Sequence, residues 1–292
     1  MEPEVQREPD RDPDREMKRE QERFAALLGT MQRLVRAPGV VVQAALADPR
    51  AFLAAGGLDP VDVEQLAALG DKRLLVYRRH VRKTLASGIR RQIPRTAARL
   101  EGAFAAWVDR WIDEEAPRSR YFRDVVFEFA AWALPRWASD ASVPAYLGDL
   151  ARHELVHFEV APMPPGEARI ATEELALDRP VLFDPAVRLS RYAHAVNRLD
   201  ADEAARDVPA REPVALLAYR DHAHEVRYLE LTPLAAAILD RLLGGEPLGA
   251  AVVGGAGGLG HPLGHPLDAS VTESTAALLE DLRARGALLG GA

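Results

Sequence analysis

His153-Glu154-Leu155-Val156-His157 has the residue types and spacing of a zinc peptidase site. On a helix, histidines four positions apart share a face and offer two imidazoles to one metal. The glutamate between them then serves as general base toward a metal-bound water. Such a site needs a third ligand. Glu159 stands where the extended form of the motif has glycine, and Glu173 and Glu174 follow a proline-rich break rather than a second helix. At about 100° per residue over 146–160, Leu147, Ala151 and Phe158 form an apolar face that contains Glu154, with both histidines at its edge. The preferred reading is a structural helix with edge histidines, so no metal is expected at His153 or His157. A zinc peptidase is kept as the most distant alternative.

Other patterns carry less chemistry. Gly255-Ala256-Gly257-Gly258-Leu259-Gly260 fits the G-x-G-x-x-G of dinucleotide sites. That fingerprint needs a strand before it and a helix opening at its last glycine. Val252-Val253 is too short a strand, and His261-Pro262 and His265-Pro266 forbid the helix, so the expectation is a flexible loop. His261 and His265 could take a metal opportunistically, although exposed loop histidines usually bind nothing. No G-x-S-x-G elbow occurs, and there is no cysteine. Thiolate metal sites, iron–sulfur ligation, disulfides and cysteine nucleophiles are all excluded. No catalytic residue and no cofactor are therefore expected. Trp107, Trp111, Trp132 and Trp137 fall at helical spacing with Phe104, Phe122, Phe127 and Phe129, as core aromatics do.

The net charge of −7 conceals an asymmetry, because residues 71–100 hold ten Lys and Arg against the single acid Asp71. On the helix expected over 71–92, Arg78 falls among Leu74, Val81 and Leu85, while Arg79, Lys83 and Arg90 lie together on the opposite, solvent side. This basic stripe is a candidate surface for an acidic partner or a polyanion. Arg78 and Glu154 each sit inside an apolar face, and an unpaired buried charge is very costly. The two are expected to form a structural ion pair. A helix-turn-helix over 233–253 is the serious rival for function, yet no Lys or Arg lies between Arg241 and Arg283 to hold phosphates. DNA binding is therefore disfavoured there.

The elements that must position these groups follow from periodicity and breakers. Residues 1–22 are charged and proline-bearing, with nothing to bury, and suggest a disordered tail rather than a signal peptide. Helices are expected over 23–36, 40–47, 60–69, 71–92, 94–114, 119–138 and 143–160. A linker spans 163–179. An α+β domain over 180–292 follows, with strands in 180–196, 213–220 and 224–231 and a tight turn at Asp221–Ala223. Thr232-Pro233 opens a helix to Leu243, a short helix fits 247–253, and Ser270 with Glu273 forms a capping box for the last helix. The fold class is an all-α domain over 23–162 plus a smaller α+β domain with a short antiparallel sheet and winged-helix-like helices. No apolar run approaches the roughly 20 residues that span a bilayer, and the cytoplasm is the expected compartment.

The run LLVYRRHV…IPRTAARLEGAFAAWVDRW, followed by VPAYLGDLARHELVHFE, resembles the HvfC/BufC-type family. Tyr77-Arg78, Pro94, Phe104, Tyr146-Leu147, Asp149-Leu150-Ala151-Arg152 and Glu154 carry the likeness, over roughly residues 24–160. The remainder is similar to the C-terminal domain of the same proteins and of the methanobactin-biosynthesis partner subunit. LELTPLAAAILDRLLGGEPLGAAV also resembles PqqD-like peptide-recognition elements. The resemblance implies a non-catalytic partner of a multinuclear non-haem iron oxidase (MNIO) that helps hold a precursor peptide's leader, with the iron ligands in the other chain. The mechanism it suggests is strand addition to an open sheet edge. The 213–220 strand is the first choice for that edge, with Leu216, Ala218 and Arg220 facing the peptide, and the 187–196 strand is the second. A DNA-binding regulator is the alternative function.

Overall fold

The computed structural model describes residues 13–161, 174–258 and 269–292. The chain divides into two compact units. One is built from residues up to Ile89 together with Gly102–Ala133, the other from Arg90–Glu101 together with Leu134–Ala292. The architecture is a helical N-terminal part and a C-terminal part in which short antiparallel sheets pack with helices.

The helical part runs α1 (Pro13–Arg36), α2 (Gly39–Ala47), α3 (Pro49–Ala54), α4 (Pro60–Ala67), α5 (Asp71–Leu74), α6 (Val76–Gln92), α7 (Pro94–Leu100), α8 (Ala103–Glu114), α9 (Val125–Ser139) and α10 (Leu147–Val160). Asp48 and Asp59 cap α3 and α4 by accepting from the N–H groups of Ala51 and Val61, with proline at the first helical position. Helix α1 starts at Pro13, earlier than the charged composition suggests, and Arg23 ties it to α4 by a bidentate contact with Asp62. The helix expected over 94–114 is two helices, because Glu101 adopts φ 50° and the chain turns there before α8. In the first unit the aromatics pack edge to face: Phe104 and Trp111 meet Phe129 with centroids 6.2 and 5.7 Å apart, and Trp107 meets Trp132 at 5.9 Å. Phe122 crosses α6 at Gly88, where a Cβ would fall 2.0 Å from the ring.

Arg78 does not take Glu154 as its partner. Its side chain is 8 % exposed and donates to the carbonyls of Leu34 at 3.0 Å and Val35 at 2.6 Å, in the last turn of α1. It also reaches Asp113 at 3.3 Å, a carboxylate it shares with Arg82. Carbonyls at a helix C-terminus lack intrahelical donors and attract a cation. An arginine aimed at them needs no distant glutamate, and this is why the two mid-face charges do not imply each other. Burial and the neighbouring Arg82 lower the Arg78 pKa from its ordinary value, and Asp113 works against that shift.

In the second unit, β1 (Val181–Phe183) pairs antiparallel with β5 (Leu288–Gly291). A separate antiparallel sheet has the order β2 (Arg188–Tyr192), β3 (Val214–Arg220), β4 (Val226–Leu231). The segment 180–196 holds two strands that part at Asp184-Pro185 and enter different sheets. Strand β3 is the best-buried strand, and alternate residues serve opposite faces. Leu216 and Ala218 face α10 through Leu150, Val156 and Val160. Leu217 and Tyr219 face the apolar sides of α11 (Pro233–Leu243), α12 (Leu248–Gly257) and α13 (Ala269–Ala284). The sheet is thus a filling between α10 and a three-helix layer.

Thr232 caps α11 by accepting from Ala235 N–H at 3.2 Å. The last helix is described from Ala269, so Ser270 lies inside it rather than at its cap. Helix α12 continues into the glycine-rich run, and Gly255 meets α11 so closely that a Cβ would lie 3.0 and 3.1 Å from the backbone N and Cα of Ile238. The first glycine of the G-x-G-x-x-G pattern therefore serves helix packing. Leu259–Asp268, with His261 and His265, lie outside the described residues. Among the described residues no helix is long and apolar enough to cross a membrane.

Candidate functional site

Glu154 is 8 % exposed and faces the start of α7. Its Oε1 accepts from Arg95 N–H at 2.8 Å, and its Oε2 accepts from Thr96 N–H at 3.0 Å and from the Thr96 hydroxyl at 2.6 Å. The Arg95 guanidinium adds a contact at 3.6 Å. The residue at the N-cap position of α7, Ile93, has no side-chain oxygen to offer, so a carboxylate from α10 does that work. Both oxygens of the motif's glutamate are thereby committed to structure. Among the described residues no group of three or more His, Cys, Asp or Glu side chains is placed to hold a metal.

His153 lies against two tyrosines, with ring centroids 5.0 Å from Tyr228 of β4 and 5.7 Å from Tyr192 of β2. Its Nδ1 is buried and has no partner among the described residues. Burial, with the Arg95 cation nearby, pushes its pKa down to about 4, so the ring is neutral near pH 7. Burial pushes the Tyr228 phenol up to about 12, which keeps it a donor at neutral pH. His157 is exposed and rests beside Phe158. A cavity of about 290 Å³ gathers these groups, lined by Arg91, Gln92, Arg95, His153, His157 and Tyr228 among others. The Gln92 side-chain oxygen is also buried without a partner among the described residues.

On the opposite face of β4 lies a second groove of about 300 Å³, lined mainly by Leu229, Leu231, Leu234, Ala235, Ile238 and Leu278. Its polar lining comprises Glu230, Thr232, Ser274, Thr275 and Asp281. Strand β4 is bonded to β3 on one side, and no described strand pairs with its other edge. An edge strand presents a row of unpaired N–H and C=O groups. A larger apolar cavity of about 670 Å³ sits between α12 and α13 beside Leu175 and Leu177.

Of the two strands expected as the edge, the 213–220 strand is not one in the structure and the 187–196 strand is. Strand β3 is the central strand, with β2 and β4 on its two sides, so its backbone groups are taken. Leu216 and Ala218 are 2 % and 1 % exposed in the core, and the Arg220 guanidinium lies 3.9 Å from Asp184. None of the three faces an incoming peptide. The hydrophobic run 214–219 marks a strand covered on both faces, and that is also the signature of a centre strand. The second choice, β2, is an edge, but the N–H groups of Ala193 and His194 just after it are bound by Asp149 of α10. Arg79, Lys83 and Arg90 are all exposed on α6.

An all-helical N-terminal part followed by an α+β part whose three-stranded sheet leaves β4 at an edge among the described residues is the class of protein this arrangement defines. The family model described as the HvfC C-terminal domain matches residues 185–283, which supports the HvfC/BufC-type resemblance. No curated protein matches the chain.

Proposed function

We propose that this chain is a non-catalytic partner protein that holds the leader of a precursor peptide on the open edge of β4 and works beside an MNIO-type iron oxidase. The open edge flanked by an apolar groove is the observation that carries this reading. An extended peptide laid along β4 satisfies the strand's free backbone groups, and alternate side chains enter the groove. The resemblance of residues 24–160 to HvfC/BufC-type proteins and the HvfC C-terminal match support the iron-enzyme partner. The helical layer beside the sheet adds to the case against a duplex, since α11 and α12 together hold a single cation, Arg241, which is engaged by Glu246.

Calorimetric titration of the full chain with a leader-like peptide and with duplex DNA, each at two salt concentrations and with and without an MNIO enzyme, tests the proposal. Peptide binding is expected to depend weakly on salt and to be abolished by prolines at alternate positions, which remove backbone donors. Duplex binding through Arg79, Lys83 and Arg90 would fall steeply with salt. Tight, sequence-selective DNA binding with no peptide binding in either condition overturns the proposal.

A further inference from the structure

Strand β4 has a different groove on each side. Leu229 and Leu231 point to the apolar groove under α11 and α13, whereas Tyr228, one residue out of phase, points to the polar cavity beside α10. Side chains of a strand alternate between faces, so a strand added to β4 sends its residues to these two environments in turn. Residues opposite Leu229 and Leu231 meet apolar walls. The residue opposite Tyr228 meets Arg91, Arg95 and His157, the Tyr228 hydroxyl, the Gln92 amide and the neutral His153 ring.

Arg91 and Arg95 bring two guanidinium groups to the lining of that cavity. Among the described residues its one carboxylate is Glu154, which is held by the backbone of α7 and is 8 % exposed, so no other described acid lines the cavity beside the guanidinium of Arg91. The Tyr228 hydroxyl adds a neutral donor on the same wall. We infer that the peptide held on β4 carries an acidic side chain at the position opposite Tyr228, between apolar residues, and that Arg91 reads that acid.

This inference rests on the strand-addition reading above, and one experiment separates the two. A display library of random dodecapeptides is panned on the full chain, on Arg91→Glu, and on groove-blocking variants Leu278→Arg and Ser274→Trp. Ser274 is exposed, so its variant keeps the test valid should Leu278→Arg unfold. Enriched peptides are expected to alternate Leu, Ile, Val or Phe with Asp or Glu. Synthetic versions with Glu→Gln should bind the wild-type chain about tenfold more weakly, and Arg91→Glu should erase that difference while keeping the apolar positions. Enrichment of apolar alternation without acidic bias, or an acidic bias undiminished in Arg91→Glu, overturns the acid-reading cavity and leaves strand addition standing. Peptides that bind equally well to the groove-blocked variants, or no enriched peptide at all, overturn strand addition and this inference with it.

Discussion

The Thr96 hydroxyl donates a 2.6 Å hydrogen bond to Glu154 Oε2, and both side chains are buried. This single contact turns the most suggestive motif in the sequence into a helix cap. Replacing Glu154 with alanine strands the N–H groups of Arg95 and Thr96 and the Thr96 hydroxyl, at an expected cost of about 3 kcal/mol in urea unfolding. Thr96→Val should cost about 1 kcal/mol, and the double variant should cost less than the sum. Equal stability of wild type and Glu154→Ala would refute the cap.

The same geometry bears on zinc. With its glutamate spent on α7, the histidine pair lacks that base, and no third ligand is placed beside it among the described residues, outside which the candidate Glu173 lies. Metal analysis of the tag-free chain is expected to give clearly less than one zinc per molecule. One tightly held zinc that disappears in His157→Ala would reinstate the peptidase reading.

Arg78 closes the carbonyl end of α1 and shares Asp113 with Arg82. Arg78→Met should destabilise by about 3 kcal/mol, because the carbonyls of Leu34 and Val35 lose a charged donor in a buried setting. Arg78→Lys should recover part of this, since one ammonium cannot span both carbonyls and Asp113 as a guanidinium fork does. A thermal scan of both variants decides the point, and identical melting of Arg78→Met and wild type would rule the cap out.

His153 gives the fold a dependence on acid. Its pKa is about 4 in the folded chain against an ordinary 6.5, so protons bind the unfolded chain more readily. Its contribution is fully present above pH 6.5 and is lost progressively as pH falls toward 4, amounting to about 3 kcal/mol once both states are protonated. His153→Phe should remove that part of the pH profile, so the stability difference between wild type and variant should narrow toward neutral pH and widen below pH 5 in the variant's favour. Parallel profiles from pH 7 to 4 would contradict the buried, neutral ring.

Gly255 is the other position where a small change should cost much. In Gly255→Ala the new methyl meets the Ile238 backbone of α11, which cannot swing aside as a side chain can. The expected loss is about 1–3 kcal/mol, from overpacking. Gly254→Ala tests the specificity of this account, because its neighbour is the movable Arg241 guanidinium and it should be better tolerated.

How far the sequence could be read depended on whether the signal was local. Thr232-Pro233 marked the start of α11, and the short apolar runs at 213–220 and 224–231, parted by a turn, marked β3 and β4, because caps, strands and turns are written within a few residues. Burial of Arg78 and Glu154 was also legible from helical angle. Their partners were not, since each pairs with backbone groups, which every residue has and no side-chain pattern reveals. Strand order was equally hidden: a run such as Leu216-Leu217-Ala218 says that both faces are covered, and says nothing of which strands lie beside it. The cavity at Tyr228 escaped for the same reason. Its residues come from α6, α7, α10 and β4, brought together by tertiary packing alone. The one local hint was the density of arginine from Arg90 to Arg99.

The pairing of β1 with β5 has a mechanical consequence. Val181 lies opposite Gly291, Phe183 lies opposite Leu288, and Ala292 N–H reaches the Pro180 carbonyl at 3.0 Å. A load applied at Pro180 and Ala292 thus pulls on neighbouring ends of an antiparallel ladder and opens its bonds one after another, starting with that outermost contact. Antiparallel ribbons loaded this way peel at low force, whereas ribbons loaded lengthwise must shear all their bonds together. Under tension at those two points the ribbon should give way first, while the three-stranded sheet that carries the β4 edge, outside the line of pull, keeps its shape.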